Sequence, residues 1–285
     1  MNANDFNADK YKQAAQQEWQ KVAPGWHKWL PFISDLSRGD TNQMLDLAGI
    51  GPGHRVLDIA AGDGDQSLMA AERVGPDGYV LATDISSNLL AYADASAKEA
   101  GIDNFETRVM DAENLELEDG SFDAVICRNG LMLIPNVGAA MAEIYRVLKP
   151  GGRVSAIVFS TPDKSPWISI PAMIAMKHAK LPPPQPGMPG LFSLGAPGVF
   201  AGAFSQAGFN DVNTQNSASF VRLSSAAECI EFLQDIAGAL HTILAPLSNE
   251  AQQNAWAEME QALKQFENPD GFAAPSESII GVGKK

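Results

Sequence analysis

Val56-Leu57-Asp58-Ile59 runs directly into Ala60-Ala61-Gly62-Asp63-Gly64-Asp65, and that junction commits the chain to an α/β unit. An apolar strand, a glycine turn and a following helix make the opening of a doubly wound sheet. What the loop carries narrows its ligand. A phosphate-binding loop offers bare backbone N–H groups, and usually a lysine, to a polyanion. Here Asp58, Asp63 and Asp65 sit among the glycines and repel a pyrophosphate. A ligand with positive charge and no phosphate suits the loop better.

The strands downstream extend the pattern. Tyr79 to Asp84 reads as a second strand with an acid at its carboxyl end. In doubly wound folds such an acid hydrogen-bonds ribose hydroxyls. Alternatively Asp84, followed by Ile85-Ser86-Ser87, caps the next helix, although either serine could do so alone. A third strand, Phe105 to Val109, ends at Met110-Asp111-Ala112-Glu113. A carboxylate there can accept an adenine amino group while the Ala112 N–H faces a ring nitrogen; the alternative makes Asp111 a plain turn residue. A fourth strand, Ser121 to Asn129, leaves the tight turn Glu118-Asp119-Gly120. Val137, Ala140, Met141, Ile144, Val147 and Leu148 then recur at helical spacing, so that helix buries one face. It ends at Lys149-Pro150-Gly151-Gly152, and Arg153 to Phe159 forms a fifth strand.

These segments together resemble the class I methyltransferases that use S-adenosylmethionine (SAM), in the branch similar to ubiquinone/menaquinone C-methyltransferases and small-molecule methyltransferases. The resemblance rests on VLDIAAGDGD, TDIS, MDAENL, FDAVICRNGLMLIPN and YRVLKPGGRV, which cover roughly residues 46–160. SAM suits the acidic loop, with an ammonium, a sulfonium and a single carboxylate. The fold implied is a doubly wound, seven-stranded Rossmann-like sheet of order 3-2-1-4-5-7-6, its seventh strand antiparallel, with a helical cap. Ser276 to Val282 is the expected seventh strand. The implied cofactor residues are Asp58, Ala60, Gly62, Gly64, Asp84, Ile85, Asp111, Ala112, Arg128 and Asn129.

The remaining chain divides by composition. Residues 1–45 read as an N-terminal helical lid of short helices, broken at Pro24-Gly25 and Pro31; Tyr11 and Trp26 are its candidates for cofactor contact, since an aromatic face attracts a sulfonium. Residues 46–160 form the SAM-binding core. Residues 161–200, with Pro162, Pro166, Pro171, Pro182-Pro183-Pro184, Pro186 and Pro189, read as a lid or crossover with one helix inside. Residues 201–285 complete the α/β domain, with a helix from Phe200, a sixth strand within 210–223, and a helical insertion over about 225–246 and 249–266. There Trp256, Met259, Leu263 and Phe266 share a face that suggests packing.

A formal charge of −14 argues against a nucleic-acid backbone as partner. Two cysteines, Cys127 and Cys229, offer no disulfide framework. No signal peptide, membrane span or metal-ligand cluster is read, and a cytoplasmic location is expected. The mechanism implied is in-line methyl transfer to a small, partly hydrophobic metabolite, with an O, N or C acceptor. A hydroxyl or carbon acid also needs a base, and His178 and His27 are the candidates ahead of His241; His54 sits in an exposed turn. Two other classes stay open: a noncatalytic SAM-binding or assembly protein, and a nicotinamide-dependent oxidoreductase, against which the acidic loop and the missing G-x-G-x-x-G argue.

Overall fold

In the computed structural model, which describes residues 6–183, 185 and 187–285, the apolar runs pair as one sheet. Pro184 and Pro186 of the proline-rich segment, and residues 1–5 of the N-terminal one, lie outside the described residues. A long helix, α1 (Ala8–Leu47), precedes the sheet. Then β1 (Arg55–Ile59), α2 (Asp65–Val74), β2 (Tyr79–Asp84), α3 (Ser87–Glu99) and β3 (Phe105–Val109) make the first half. The second half is β4 (Phe122–Arg128), α4 (Val137–Val147), β5 (Leu148–Phe159), α5 (Pro166–His178), α6 (Val199–Gln206) and β6 (Asn210–Leu223). Three cap helices follow, α7 (Ala226–Ile236), α8 (Gly238–Leu244) and α9 (Asn249–Leu263), then the two-residue strand β7 (Glu267–Asn268) and β8 (Gly271–Lys284).

The strand order is β3-β2-β1-β4-β5-β8-β6, with β7 paired to β8. Apart from the short β7, this is the expected 3-2-1-4-5-7-6 order. The strand closing the sheet runs antiparallel to both neighbours. β1 and β2 are buried along nearly their whole length, as parallel strands covered on both faces must be. On one face Leu57, Val125, Ile144 and Phe204 share a core with α4 and α6. On the other, Met44 and Leu45 of α1 pack with Val56, Ala70, Ile126 and Ile280.

A separate core fills the cap. Trp167 and Ile174 of α5, Phe232 and Leu233 of α7, and Met259 and Leu263 of α9 meet Phe272 and Ala274 of β8. The β6–β8 ladder continues to Leu223 and Phe272, whereas β5 leaves β8 at Ser278. The hairpin therefore overshoots the sheet and carries the cap on its extension. α5, the helix inside the proline-rich segment, forms part of that core.

The N-terminal segment differs from expectation. It is not a set of short helices broken at Pro24-Gly25 and Pro31; α1 is one helix of 40 residues with both prolines inside. A proline inside a helix deprives the carbonyl four residues earlier of its donor. For Pro24 that carbonyl is Gln20 O, and Asn88 Nδ2 of α3 donates to it instead at 3.0 Å. Gly25 is there for proximity: a Cβ on it would lie 2.1 Å from the Asp235 carbonyl of α7. Docking against α3 and α7 thus keeps the helix continuous where its local sequence reads as a break.

Candidate functional site

β1 ends in a loop of unusual backbone. Ala60 takes a φ of 53° and Gly64 a φ of 84°, the latter at the N-cap of α2. Left-handed geometry strains a side chain, and a Cβ on Gly64 would also press within 2.6 Å of Ala93. Across the sheet, a Cβ on Gly130 would meet that of Ala60 at 2.4 Å. The ends of β1 and β4 are therefore pinched together, and the loop backbone sits at the carboxyl edge where ligands bind in open α/β sheets.

The acids along this edge are held in unlike ways. Asp58 is completely buried; its Oδ2 accepts from Ser67 Oγ, and its Oδ1 has no partner. Burial pushes its carboxyl up to about 7, Ser67 and Arg128 opposing. Asp63 is also buried, with Oδ2 unpartnered, and burial raises it to about 6. Asn129, at a φ of 59°, has an unpartnered buried Oδ1. Asp65 differs, because Arg128 Nη1 donates to its Oδ2 at 2.7 Å and Ser34 Oγ donates to its Oδ1. Of these three carboxylates, Asp65 alone is bonded to Arg128, whereas Asp58 and Asp63 feel its charge without a bond to it.

Asp84 ends β2, with Oδ2 accepting from Gly62 N at 3.0 Å and Oδ1 from Ser86 N at 2.8 Å. Ser86, not Asp84, is the N-cap of α3, its hydroxyl accepting from Leu89 N at 3.3 Å. Asp84 is buried, which raises its pKa. Asp111, past the end of β3, accepts from Glu113 N at 2.9 Å through Oδ1, as a turn residue does. Its Oδ2 pairs with Lys12 Nζ at 2.7 Å, and Lys12 also reaches Glu113 at 2.6 Å. Ala112 lies half-buried between the two acids.

α1 crosses this whole edge. Beyond Lys12, Gln16 Nε2 donates to Ile85 O at 2.9 Å and Gln20 Nε2 to Ser87 Oγ at 3.1 Å. Further along, Ser34, Ser37 and Thr41 meet Asp65 and Arg128. Sequence reasoning missed all six. Their signal was present: Lys12, Gln16, Gln20 and Ser34, Ser37, Thr41 fall on one helical stripe, visible only if the helix is continuous.

The other candidates divide by place. Tyr11 shares the turn of Lys12, its ring 5.6 Å from Phe6, and burial lifts its phenol to about 12. Trp26 Nε1 donates to Ile236 O at the end of α7, 3.1 Å away, which ties α1 to the cap. His27 stacks on Tyr92 of α3 at 4.0 Å. His178, in the last turn of α5, meets Glu258 of α9 at 2.8 Å. His241 Nε2 bonds Gln234 O, and His54, expected exposed, is half-buried with Nδ1 accepting from Gly51 N. Among the described residues, no histidine hydrogen-bonds to the acidic loop.

A family model described as a methyltransferase domain matches residues 56–152. Over 157 residues the chain is 33% identical to the demethylmenaquinone methyltransferase of Listeria welshimeri, covering 55% of this chain and 66% of that protein. It is 34% identical over 168 residues to the ubiquinone/menaquinone biosynthesis C-methyltransferase UbiE of Cupriavidus necator, covering 56% of this chain and 68% of that one. A solved phosphoethanolamine N-methyltransferase 2 of Haemonchus contortus, in complex with phosphomonomethylethanolamine and S-adenosylhomocysteine, shares the fold. It has a TM-score of 0.55 at 22% identity, over 87% of this chain and 52% of that one.

Proposed function

This chain belongs to the family of SAM-dependent methyltransferases, and from that premise we propose that it moves the SAM methyl group onto a small, partly hydrophobic metabolite. One observation carries the reading: acids close β1, β2 and β3 in turn, and the loop region holds three buried oxygens, Asp58 Oδ1, Asp63 Oδ2 and Asn129 Oδ1, with no donor. Buried acceptors left without donors are costly. SAM brings what they lack, an ammonium and sugar hydroxyls, and no phosphate to repel.

In this reading Asp84 holds the ribose hydroxyls, Asp111 and the Ala112 N–H hold the adenine, and Ile85 lies beside them. Ala60, Gly62, Gly64, Asp58, Arg128 and Asn129 line the amino-acid end, and Tyr11 lies over the adenine side. When bound, the cofactor supplies an activated methyl on a good leaving group. The chain's residues then orient the acceptor in line and exclude water. Residues 1–45 act as a lid over the 46–160 core, residues 161–200 as a crossover that walls the acceptor site, and residues 201–285 complete the sheet and cap. Trp26 and His27 steady the lid against the cap and α3, and His178 ties α5 to Glu258 of α9.

Aromatic packing at the end of β5 supports an apolar acceptor. Phe159 lies 6.2 Å from Trp167 and 6.0 Å from Phe192, and its backbone N donates to Met132 Sδ at 3.4 Å, which ties the same wall to the sheet core. Relatives whose names specify quinone precursors agree with such an acceptor. The charge of −14 disfavours a nucleic-acid substrate, and a cytoplasmic enzyme fits a chain in which no described helix could cross a membrane. Calorimetry with S-adenosylhomocysteine and NAD tests the cofactor: the first should bind and the second should not. Labelled SAM supplied with demethylated quinone precursors then tests the acceptor class. Binding of NAD alone would overturn the reading.

A further inference from the structure

The sheet ends in two unlike strands. β3, at one edge, is five residues long and carries Glu106 and Arg108. Short length and charge are ordinary means by which an exposed edge is kept from pairing with other chains. β6, at the other edge, is 14 residues long and pairs with β8 alone. Residues 212–221 hold no charge, no proline and no glycine. The register irregularity on the β6–β8 ladder falls at its start, between Asn210 and Asn213, where Asp211 takes a φ of 51°. Beyond it the pairing runs unbroken from Asn213 to Leu223. About half of the backbone N–H and C=O groups of such a strand point away from its single neighbour. Among the described residues, no backbone group of residues 212–221 bonds outside that ladder.

We propose that β6 is a dimer interface, where the same strand of a second copy of the chain pairs with it antiparallel and joins two sheets into one. A two-fold axis perpendicular to the sheet produces that pairing, and a strand that meets itself this way exchanges its ends. Those ends match. Asp211 precedes the uncharged run and Arg222 follows it, both exposed, so the acidic end of each strand lies against the basic end of the other. The strand carries its own charge complement, which selects a second copy over an unrelated strand.

The faces of β6 agree with this occupant. One is already taken: Ser217 Oγ donates to Asp40 Oδ1 of α1 at 2.6 Å, and Val221 is buried in the cap core. The other exposes Asn216, Ala218 and Phe220, the last with Arg222 over its ring at 5.1 Å. Around the two-fold axis these side chains of the two copies become cross-strand neighbours, so the open backbone row and the exposed ring are covered together. The joined sheet then ends at both extremes in β3, the short charged strand. Because β6 holds α1 through Asp40, the interface also braces the helix that crosses the carboxyl edge.

Sedimentation velocity over a dilution series of the full chain should show a dimer that dissociates to monomer. Arg222→Glu sets two acids together at each end of the interface and Asp211→Lys sets two bases there. Each alone should weaken the dimer about 5- to 30-fold, as two charge contacts turn repulsive together. Mixed in equal amounts, the two variants should form a heterodimer of wild-type strength, since both ends are then matched. Damage to either fold is not repaired by mixing, so recovery reads the pairing itself. Ala218→Lys/Phe220→Lys, which crowds like charges near the axis, should give a monomer across the series with far-UV circular dichroism unchanged. Wild-type protein that stays monomeric at every concentration overturns the proposal. So does a dimer that survives Ala218→Lys/Phe220→Lys, or a mixture of folded variants no stronger than its parts.

Discussion

Asp58 and Asp63 are carboxylates placed where ionisation is unfavourable until a cation arrives. Burial lifts them to about 7 and about 6, from an ordinary 3.8. A group whose pKa is higher in the folded protein than in the unfolded chain binds more protons when folded. In the ligand-free protein these two acids therefore contribute stability that is full below about pH 4 and is lost as pH rises through 6 and 7, a contribution that thermal melts across that range, compared between wild type and variant, would read. Asp58→Asn should reduce it. Cofactor binding should run the opposite way, tightening from pH 5.5 to 7.5 as these acids become able to meet an ammonium. Asp84 belongs to the same scale. Ser86 caps α3 in place of Asp84, whose oxygens each accept one backbone N–H and keep a lone pair for a ribose hydroxyl; Asp84→Ala should weaken S-adenosylhomocysteine by about 1.5–3 kcal/mol in calorimetry. Unchanged affinity would leave Asp84 only its bonds to Gly62 and Ser86. The places of Asp58, Asp84 and Asp111 at the ends of β1, β2 and β3 were legible in the chain, because those three runs lie between turn signals and carry strand-forming residues. Lys12 was not, because its partner Asp111 lies 99 residues away and nothing local marks the pair.

At the scale of elements, α1 carries most of what sequence reasoning did not see. Pro24 and Pro31 read as breaks because local chemistry disfavours a helix there, and tertiary contacts reverse the outcome. Asn88 is the compensating group for Pro24. Asn88→Ala should cost about 0.5–1.5 kcal/mol by leaving the Gln20 carbonyl without a protein donor, measurable by urea unfolding; an Asn88→Ala variant as stable as wild type would mean that water replaces the amide without loss. The helix also divides by burial. Val22, Ala23, Met44 and Leu45 are buried, whereas the turns before residue 20 meet the strand ends mainly through polar side chains. Removing residues 1–20 should therefore leave a folded protein, with far-UV and near-UV circular dichroism close to wild type, yet abolish methyl transfer. Turnover that survives the truncation would deny this stretch its role over the site.

For the whole molecule, the cap and the sheet share strands and so should share stability. Phe232 is buried among Trp29, Phe32 and Trp167, with ring centroids 5.1, 5.1 and 6.0 Å away. Phe232→Ala should cost about 3–5 kcal/mol. Because β6 and β8 run through both regions, the loss should appear as one cooperative transition shifted to lower denaturant; two separated transitions would show a cap that melts alone. The sheet itself could be read from the chain, since buried parallel strands are continuous apolar runs between turn signals. The cap core could not, as it joins α5, α7, α9 and the overshooting hairpin through contacts that no local period records.

The position of β8 has a consequence during synthesis. It lies between β5 and β6, yet it is the last of these strands to leave the ribosome. Until it arrives, β5 has one edge open, and β6 has no neighbour in the sheet. Unpaired strand edges template association with other chains. A nascent or prematurely terminated chain ending before residue 271 is thus a species for chaperones to hold, and translation pauses or nonsense lesions in the last stretch should send this protein to aggregates more readily than equal loss from its first turns.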